Sequence, residues 1–315
     1  MRKALVVGID GYATAPLSGC VNDANAVAAV LETNGDGSPN FSVRLLTNPG
    51  GSVSKAALRE AIDQLFQGDP DVALFYFSGH GFVNTNGGLI VTDDYQKYDE
   101  GISMDEILNY ANKAASKERI IILDCCHSGS FGSPAIDESP KAHLSPGLTV
   151  LTACKSDEVA LESGGAGLFT SLVVDALQGG AADLRGHVTP GSVYAYVDQA
   201  LGPWDQRPIF KTNVTKFTSL RNIQPPVPLT TLRKLTKYFP SPTDEISLDP
   251  SFEDTSDQAD EKNVEIFKDL QKMEGVGLVV PVSEEHMYYA AMNNRSCRLT
   301  TLGGHYWRLV DQKKI

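Results

Sequence analysis

Apolar residues form two patterns that alternate along the first two thirds of this chain. Short, nearly continuous apolar runs predict buried strands. These runs are residues 4–9, 42–46, 72–77, 89–91, 119–123, 148–152 and 208–210. Between them, apolar residues recur at helical spacing and predict helices. The helical segments are residues 22–31, 54–66, 103–115, 168–177 and 192–201.

The first three helices each have a candidate capping residue. Ser54 and Ser103 precede their helices, and Glu106 completes a capping box with Ser103. Asn22 or Asp23 is available for the first helix. Strands that alternate with helices predict an α/β fold with a parallel sheet covered on both faces, and the last run, 208–210, is expected at its edge. Functional residues should then lie beyond the carboxyl ends of the strands.

The pattern changes after residue 223. A proline-rich stretch, Gln224 to Pro228, is followed by eight acidic residues and one basic residue between Asp244 and Lys262, a composition typical of exposed chain. Helix and strand patterns resume at Val264. We therefore predict a domain over residues 1–223, a Pro-rich and acidic linker over 224–262, and a small α+β module over 263–315.

Composition limits the classes of function. The chain has 315 residues, with 39 acidic and 27 basic side chains, a net charge of −12 and a pI near 4.9. This charge disfavours nucleic-acid binding, which needs positive charge, and suits basic peptide substrates. Five cysteines in a chain of this length do not suggest a disulfide framework. We see no secretory signal and no membrane-spanning apolar run, so the expected location is cytoplasmic.

Two polar motifs follow two of the predicted buried strands. Ser78-Gly79-His80-Gly81 follows one strand, and Asp124-Cys125-Cys126-His127-Ser128-Gly129 follows the other. If these strands are parallel neighbours, His80 and Cys126 emerge at the same sheet edge and form a base and a thiol nucleophile. Cys125 should point into the core, because side chains alternate along a strand. The amides of Gly81 and Cys126 are the expected oxyanion donors.

Other chemistries compete with this interpretation. His127 is an alternative base, although a residue next to the nucleophile rarely turns its ring back onto it. Zinc is an alternative ligand for the Cys-Cys-His cluster, but structural zinc sites place paired cysteines two to four residues apart. We therefore predict no metal site.

The motifs together resemble those of caspase-like cysteine peptidases of the metacaspase type, in their bacterial form. The chain is similar to that family at Ser18 to Ala24, Phe77 to Gly81, Asp124 to Gly129 and Gly167 to Thr170, in the family's order. The resemblance implies a caspase–haemoglobinase fold with a mostly parallel six-stranded sheet and helices on both faces. It also implies His80 as base and Cys126 as nucleophile.

The same resemblance implies the substrate. Asp23 and Asp124 would line the primary specificity pocket, with Cys20 and Ser78 beside them. Two carboxylates suit a guanidinium fork or an ammonium group, so cleavage should follow Arg or Lys. Helix capping is the competing role for Asp23.

Many members of that family bind calcium through several acidic residues. Asp93, Asp94, Asp105 and Glu106 offer part of a calcium set, but Met104 and Ser133 stand where further acidic ligands are expected. We therefore expect no required cofactor, with calcium as the alternative. Lys141, in a segment rich in Pro and Ser, is the natural position for self-cleavage, and an uncut loop is the alternative. Arg233, Lys234 and Lys237 are further candidate positions.

The C-terminal module is similar to a winged-helix domain, but its nearly balanced charge disfavours DNA binding. It suits an activating protein partner better, with Tyr288, Tyr289 and Trp307 as candidate contact residues. Core packing is the default expectation for each of the three. The leading hypothesis is thus a regulated bacterial effector protease acting in antiviral defence or cell death, with no membrane or nucleic-acid partner. The alternatives are a catalytically silent binding scaffold with the same fold, and a regulator with a DNA-binding C-terminal module.

Overall fold

The computed structural model describes residues 1–48, 51–84, 87–97, 99–125, 144–153, 162–163, 166–201 and 207–315. The chain divides into two compact units. The first comprises Met1–Ala182 and His187–Ile223, and the second comprises Asp183–Gly186 and Gln224–Ile315. Within the described ranges, no helix is both long enough and apolar enough to cross a membrane.

The first unit alternates strands and helices, as its sequence pattern predicts. Its strands are β1 (Arg2–Ile9), β2 (Ser42–Asn48), β3 (Val72–Ser78), β4 (Gly81–Asn84), β5 (Gly87–Gln96), β6 (Asp99–Ser103), β7 (Glu118–Asp124), β8 (Leu148–Thr152), β9 (Glu162–Ser163), β10 (Ala166–Gly167), β11 (His187–Val188), β12 (Ile209–Asn213) and β13 (Arg221–Asn222). Its α-helices are α1 (Cys20–Glu32), α2 (Lys55–Phe66), α3 (Met104–Lys113), α4 (Leu168–Asp175) and α5 (Pro190–Ala200).

A six-stranded sheet in the order β12-β8-β7-β3-β1-β2 forms the centre of this unit. All neighbouring strands are parallel except the edge strand β12, which runs antiparallel to β8. The predictions of a mostly parallel sheet and of an edge strand near residue 209 are confirmed. Because β3 lies between β1 and β7, the ends of these three strands meet at one edge of the sheet.

Side chains alternate between two cores, one on each face of the sheet. Leu5, Phe75 and Ile121 belong to one core, which α2 and α3 cover. Val6 and Tyr76, on the same strands, belong to the other, which α1, α4 and α5 cover. Nearly every position of β1, β3 and β7 is therefore buried, which explains the continuous apolar runs in the sequence.

The first turns of the helices agree with the sequence in two cases and differ in one. Ser54 and Ser103 cap α2 and α3 as predicted, but the carboxylate of Glu106 binds Arg59 and does not complete the predicted capping box. The cap predicted for α1 is wrong, because α1 begins at Cys20, before Asn22 and Asp23. The carboxylate of Asp10 instead accepts the amides of Cys20 and Val21, at 2.8 and 3.2 Å. This cap comes from the end of β1, so the local sequence of the helix does not reveal it.

The second unit begins where the exposed linker was predicted, and that prediction is wrong. Val227, Leu232, Leu235 and Phe239 are fully buried in the core of this unit. Its elements are α6 (Leu229–Leu232), α7 (Leu235–Tyr238), β14 (Glu245–Ser247), α8 (Glu261–Glu274), β15 (Val279–Val282), α9 (Met287–Met292), β16 (Ser296–Leu299) and α10 (Thr301–Asp311). Its strands form an antiparallel sheet in the order β14-β16-β15. Most acidic residues of 244–262 are exposed, although Glu253 is buried, while Leu248 and Phe252 pack into the core. The winged-helix likeness stays a prediction.

Candidate functional site

The predicted pocket residues converge at the carboxyl edge of the sheet. Ser78 ends β3 and Asp124 ends β7, and the two residues are direct partners in the parallel register. The amide of Gly79 donates to the backbone carbonyl of Asp124 at 3.3 Å. Asp23 reaches this edge from the first turn of α1, and the Ser78 hydroxyl donates to its carboxylate at 3.2 Å. Three segments far apart in sequence thus meet at one place.

Asp23 and Asp124, the carboxylate pair, lie together against the start of α4. They are 3% and 6% exposed. The amide of Gly167 donates to both oxygens of Asp23, at 3.1 and 3.2 Å, and the hydroxyl of Thr170 donates to Asp124 at 2.6 Å. A Cβ added to Gly167 would lie 2.6 Å from an oxygen of Asp124 and 3.0 Å from an oxygen of Asp23. Both carboxylates therefore border the same point of the backbone.

Burial and mutual repulsion change the acidity of the groups at this site. Desolvation, followed by the charge of Asp124, raises the pKa of Asp23 to about 7, while hydrogen bonds from Gly167 and Ser78 act in the opposite direction. Desolvation also raises the pKa of the Cys20 thiol well above its ordinary value. Cys20 is therefore protonated at neutral pH and is not a second nucleophile. The helix-capping role weighed for Asp23 belongs to Asp10 instead.

His80 lies just beyond β3, in a loop packed on Tyr12. The Tyr12 ring is 6% exposed, and its centroid lies 4.6 Å from that of the imidazole. The Tyr12 hydroxyl accepts the backbone amide of His80 at 3.0 Å and donates to the carbonyl of Val91 at 3.1 Å. Gly79 permits this packing, because a Cβ there would lie 2.5 Å from that hydroxyl oxygen. The Tyr12 hydroxyl therefore links the backbone of His80 to the backbone of Val91 on β5.

The hydrogen bond of the imidazole defines its tautomer. Nε2 of His80 lies 2.7 Å from the carbonyl oxygen of Ala15. A carbonyl can only accept, so Nε2 carries the proton and Nδ1 keeps the basic lone pair. Ala15 has φ of 58°, a left-handed conformation that is uncommon for a residue other than glycine. Strained backbone of this kind often accompanies functional sites, and here it aims a carbonyl at a catalytic candidate.

Cys126 lies outside the described residues, as do His127, Ser133 and Lys141. Their predicted roles therefore stay predictions. The neighbouring residue Cys125 is 1% exposed and belongs to the core, as predicted from strand alternation. Because Ser78 pairs with Asp124, His80 and Cys126 each stand two residues beyond paired strand ends.

A cavity of about 470 Å³ opens beside His80. Tyr12, Ala15, Phe82 and Tyr95 are among its lining residues. Phe82 and Tyr95 are 45% and 50% exposed, which is high for aromatic side chains. Asp23 and Asp124 are not among the residues that line this cavity, so the cavity and the carboxylate pair are separate features.

Three of the four carboxylates considered for calcium accept hydrogen bonds from other groups of the protein. Asp93 and Asp94 accept backbone amides at the start of α2, at 2.6 and 3.0 Å. Glu106 accepts two hydrogen bonds from Arg59, at 2.6 and 3.0 Å, and partial burial raises the pKa of Asp105. No group of three or more His, Cys, Asp or Glu side chains suited to a metal ion occurs in the part of the chain that the structure describes. The expectation that no cofactor is required stays a prediction.

The second unit carries the remaining candidates. Tyr288 and Tyr289 are 43% and 50% exposed and contact each other edge to face, with centroids 5.3 Å apart. Trp307 instead packs inward, and its Nε1 donates to the carbonyl of Phe239 at 2.6 Å. The alternative self-cleavage residues Arg233, Lys234 and Lys237 lie in or beside α6 and α7 rather than in an exposed linker, and such helical backbone is a poor protease substrate.

Sequence reasoning missed four residues of the site: Tyr12, Ala15, Gly167 and Thr170. The last two belong to a motif that resembles the family, but they had no assigned role. The polar residues at the ends of predicted strands were the available signal for a site. The role of a backbone carbonyl, such as that of Ala15, cannot be recognised from the amino-acid sequence.

Three comparisons relate the chain to known proteins. The family model of the caspase domain matches residues 1–224. Metacaspase-9 of Arabidopsis thaliana is 30% identical over 149 residues, which cover 41% of this chain and 44% of that protein. The chain thus aligns with less than half the length of this relative.

Two solved structures share the fold. Protein GSU0716 from Geobacter sulfurreducens has a TM-score of 0.53 at 16% identity, over 71% of this chain and 100% of that one. Caspase-1 from Spodoptera frugiperda has a TM-score of 0.52 at 14% identity, over 71% of this chain and 91% of that one. At such identities the likeness shows the fold alone.

Proposed function

This chain belongs to the caspase domain family, and on that premise we propose that it is a cysteine endopeptidase that cleaves proteins after Arg or Lys. The observation that carries the specificity is the carboxylate pair. Asp23 and Asp124 are buried side by side at the edge of the sheet where the His80 loop begins. The charge of Asp124 disfavours ionisation of Asp23, so the two buried carboxylates repel each other, and a cationic substrate side chain between them would offset that repulsion.

The proposed reaction uses His80 and Cys126. Nδ1 of His80 accepts the thiol proton of Cys126, and the thiolate attacks the carbonyl carbon of the scissile bond. The tetrahedral intermediate collapses to a thioester as the imidazolium returns the proton to the leaving amine. A water molecule then gives its proton to Nδ1 and hydrolyses the thioester, which regenerates the thiol. The carbonyl of Ala15 accepts from Nε2 and stabilises the imidazolium in each step.

The oxyanion donors would be the amides of Gly81 and Cys126. Gly81 pairs with Ile90 at the start of β4, and the carbonyl of His80 accepts the amide of Val91 at 2.9 Å. In an antiparallel ladder this makes Gly81 and Ile90 a non-hydrogen-bonded pair, so the amide of Gly81 points away from Ile90. The amide is thus not used by this ladder, which supports an oxyanion role.

Arginine should be preferred to lysine in the pocket. A guanidinium presents two parallel N–H groups and can address both carboxylates at once, whereas an ammonium is a single point charge. Cys20 and Ser78 would form the walls, since both are buried beside the pair. An aspartate side chain would meet like charge and be rejected.

The test compares wild type with two cysteine variants, using fluorogenic peptides that end in Arg, Lys or Asp. Wild type and Cys125→Ala should both turn over the Arg peptide fastest and the Asp peptide not at all. Cys126→Ala should be inactive. Cys125 is the matched control, because it is the adjacent thiol and lies in the core. Equal turnover by wild type and Cys126→Ala, or a preference for Asp, would overturn the proposal.

Two further proposals concern regulation of the protease. We propose an effector protease of bacterial defence or cell death that is activated by a protein partner bound at the second unit, where Tyr288 and Tyr289 are exposed. We also propose self-cleavage after Lys141. Incubated wild-type protein should release the corresponding fragment, whereas Lys141→Gln and Cys126→Ala should stay intact; a fragment ending at Lys141 from Cys126→Ala would contradict self-cleavage.

A further inference from the structure

A chain of buried hydroxyl groups leads from the core to the carboxylate pair. The hydroxyls of Tyr76 and Thr170 are 2.6 Å apart, and the Thr170 hydroxyl lies 2.6 Å from a carboxylate oxygen of Asp124. Tyr76 is 0% and Thr170 is 1% exposed. Tyr76 lies on β3, two residues before Ser78, and Thr170 lies in the first turn of α4.

The chemistry of the acceptor sets the direction of this chain. An ionised carboxylate can only accept, so the Thr170 hydroxyl donates to Asp124. Thr170 has a single hydroxyl proton, so it must accept from Tyr76 at its oxygen. Burial raises the pKa of Tyr76 well above its ordinary value, which keeps the phenol protonated as a donor. The orientation of the Thr170 side chain is therefore defined from both ends.

The same short segment also holds the other carboxylate. Gly167 precedes the first residue of α4, and its amide donates to Asp23. The N-terminal end of a helix carries partial positive charge, which favours anions beside it. Residues 167–170 thus provide a backbone amide to Asp23, a hydroxyl to Asp124 and a helix end to both. This arrangement supplies both of the repelling carboxylates with hydrogen-bond donors from one short segment.

Resting on the proposed function, we infer that Thr170 and Tyr76 are positioning residues for the primary specificity pocket, and that Gly167 sets the space between its two carboxylates. Thr170 fixes the rotamer of Asp124 and lowers the energy of its ionised form. Tyr76 acts indirectly, because its hydroxyl donates to Thr170 and so orients the Thr170 side chain. A side chain on Gly167 would enter the space bordered by both carboxylates, at 2.6 and 3.0 Å from their oxygens.

The direct test measures benzamidine binding by calorimetry in the Cys126→Ala protein, where no chemistry occurs. The amidinium probe reports on the pocket alone. Thr170→Val should weaken binding about tenfold or more, because a hydrogen bond to a charged group is lost. Thr170→Ser should bind within about twofold of the parent, because the hydroxyl is retained. Tyr76→Phe should give a smaller loss than Thr170→Val, and Gly167→Ala should abolish binding.

Thr149→Val is the matched control. Thr149 is another fully buried threonine on β8, and its hydroxyl lies 2.9 Å from the hydroxyl of Thr212 on the edge strand β12. The Thr149→Val variant should bind benzamidine with unchanged affinity. In the active protein, Thr170→Val should raise KM for the Arg peptide and leave kcat within about twofold, since the reacting groups are untouched. A general packing defect would instead lower kcat and would not be repaired by serine.

The outcomes separate this inference from the proposed function. If Thr170→Val binds benzamidine as tightly as its parent, the positioning role is refuted and the pocket stands. If the parent itself shows no benzamidine binding, the pocket assignment fails and the inference fails with it. If Thr170→Val and Thr149→Val weaken binding equally, the effect belongs to the fold and the positioning role is again refuted.

Discussion

Substrate affinity should depend on pH through Asp23. Its pKa is raised to about 7, mainly by burial and then by the negative charge of Asp124, with Asp10 adding a smaller repulsion. A protonated Asp23 loses its attraction for a cationic side chain. If binding needs the ionised form, about nine tenths of the protein is competent at pH 8 and about one tenth at pH 6. The dissociation constant for a cationic ligand should therefore rise about tenfold over this interval.

The assay is calorimetric titration of Cys126→Ala protein with benzamidine at pH 8, 7 and 6. Benzamidine stays cationic throughout, and the Cys126→Ala background removes the thiol from the titration. Asp23→Asn should bind more weakly at pH 8 and should show a much smaller pH dependence. An affinity that does not change between pH 8 and 6, or an equal pH dependence in Asp23→Asn, would refute the assignment to Asp23.

The same carboxylate should reduce stability at neutral pH. The pKa in the folded state lies above the ordinary value of 3.8, so the folded protein binds this proton more tightly than the unfolded chain. The free energy of unfolding should therefore fall as pH rises from about 4 to about 7, and the loss is complete above that range. Asp23→Asn should raise the free energy of unfolding at pH 8 by on the order of 2 kcal/mol after allowance for solvent screening. Urea denaturation of wild type and Asp23→Asn at pH 8 measures this difference. A lower free energy of unfolding for Asp23→Asn would contradict the proposed repulsion.

Three further predictions concern the His80 loop and the second unit. Ala15→Gly should keep kcat and raise the unfolding temperature slightly, because glycine adopts the left-handed backbone without strain, whereas Ala15→Val should lower both. Tyr12→Phe should lower kcat about tenfold in the peptide assay, because the hydroxyl that links His80 to Val91 is lost. Phe239→Ala should destabilise the second unit by about 3–5 kcal/mol in urea denaturation of the full chain, and no effect would restore the linker prediction.

The sequence was sufficient to predict the central sheet and the sheet edge at which the candidate site lies. Strands β1, β3 and β7 are buried on both faces, so their apolar runs were continuous and their ends were marked by the polar residues that follow. Ser78 and Asp124 proved to be in register because neighbouring parallel strands of equal length end together. The burial of Cys125 followed from simple alternation.

Features that depend on the paths of loops could not be predicted. Asp10 caps a helix that begins ten residues later, and the Ala15 carbonyl reaches His80 across 65 residues of sequence. Neither contact has a periodic pattern. The linker prediction failed for another reason: the segment 244–262 is rich in acidic residues, but its packing depends on a few apolar residues such as Leu248 and Phe252. The average composition of a segment does not reveal a small number of buried apolar residues within it.

The central claim is that His80 activates Cys126 beside a pocket for a cationic side chain. Its most direct test is covalent capture with a peptide chloromethyl ketone that ends in Arg, followed by mass spectrometry of the digested protein. We predict a single adduct on Cys126, absent in His80→Ala and absent with the matching reagent that ends in Asp. No adduct on Cys126, an adduct of equal yield in His80→Ala, or equal capture by the Asp reagent would contradict the account.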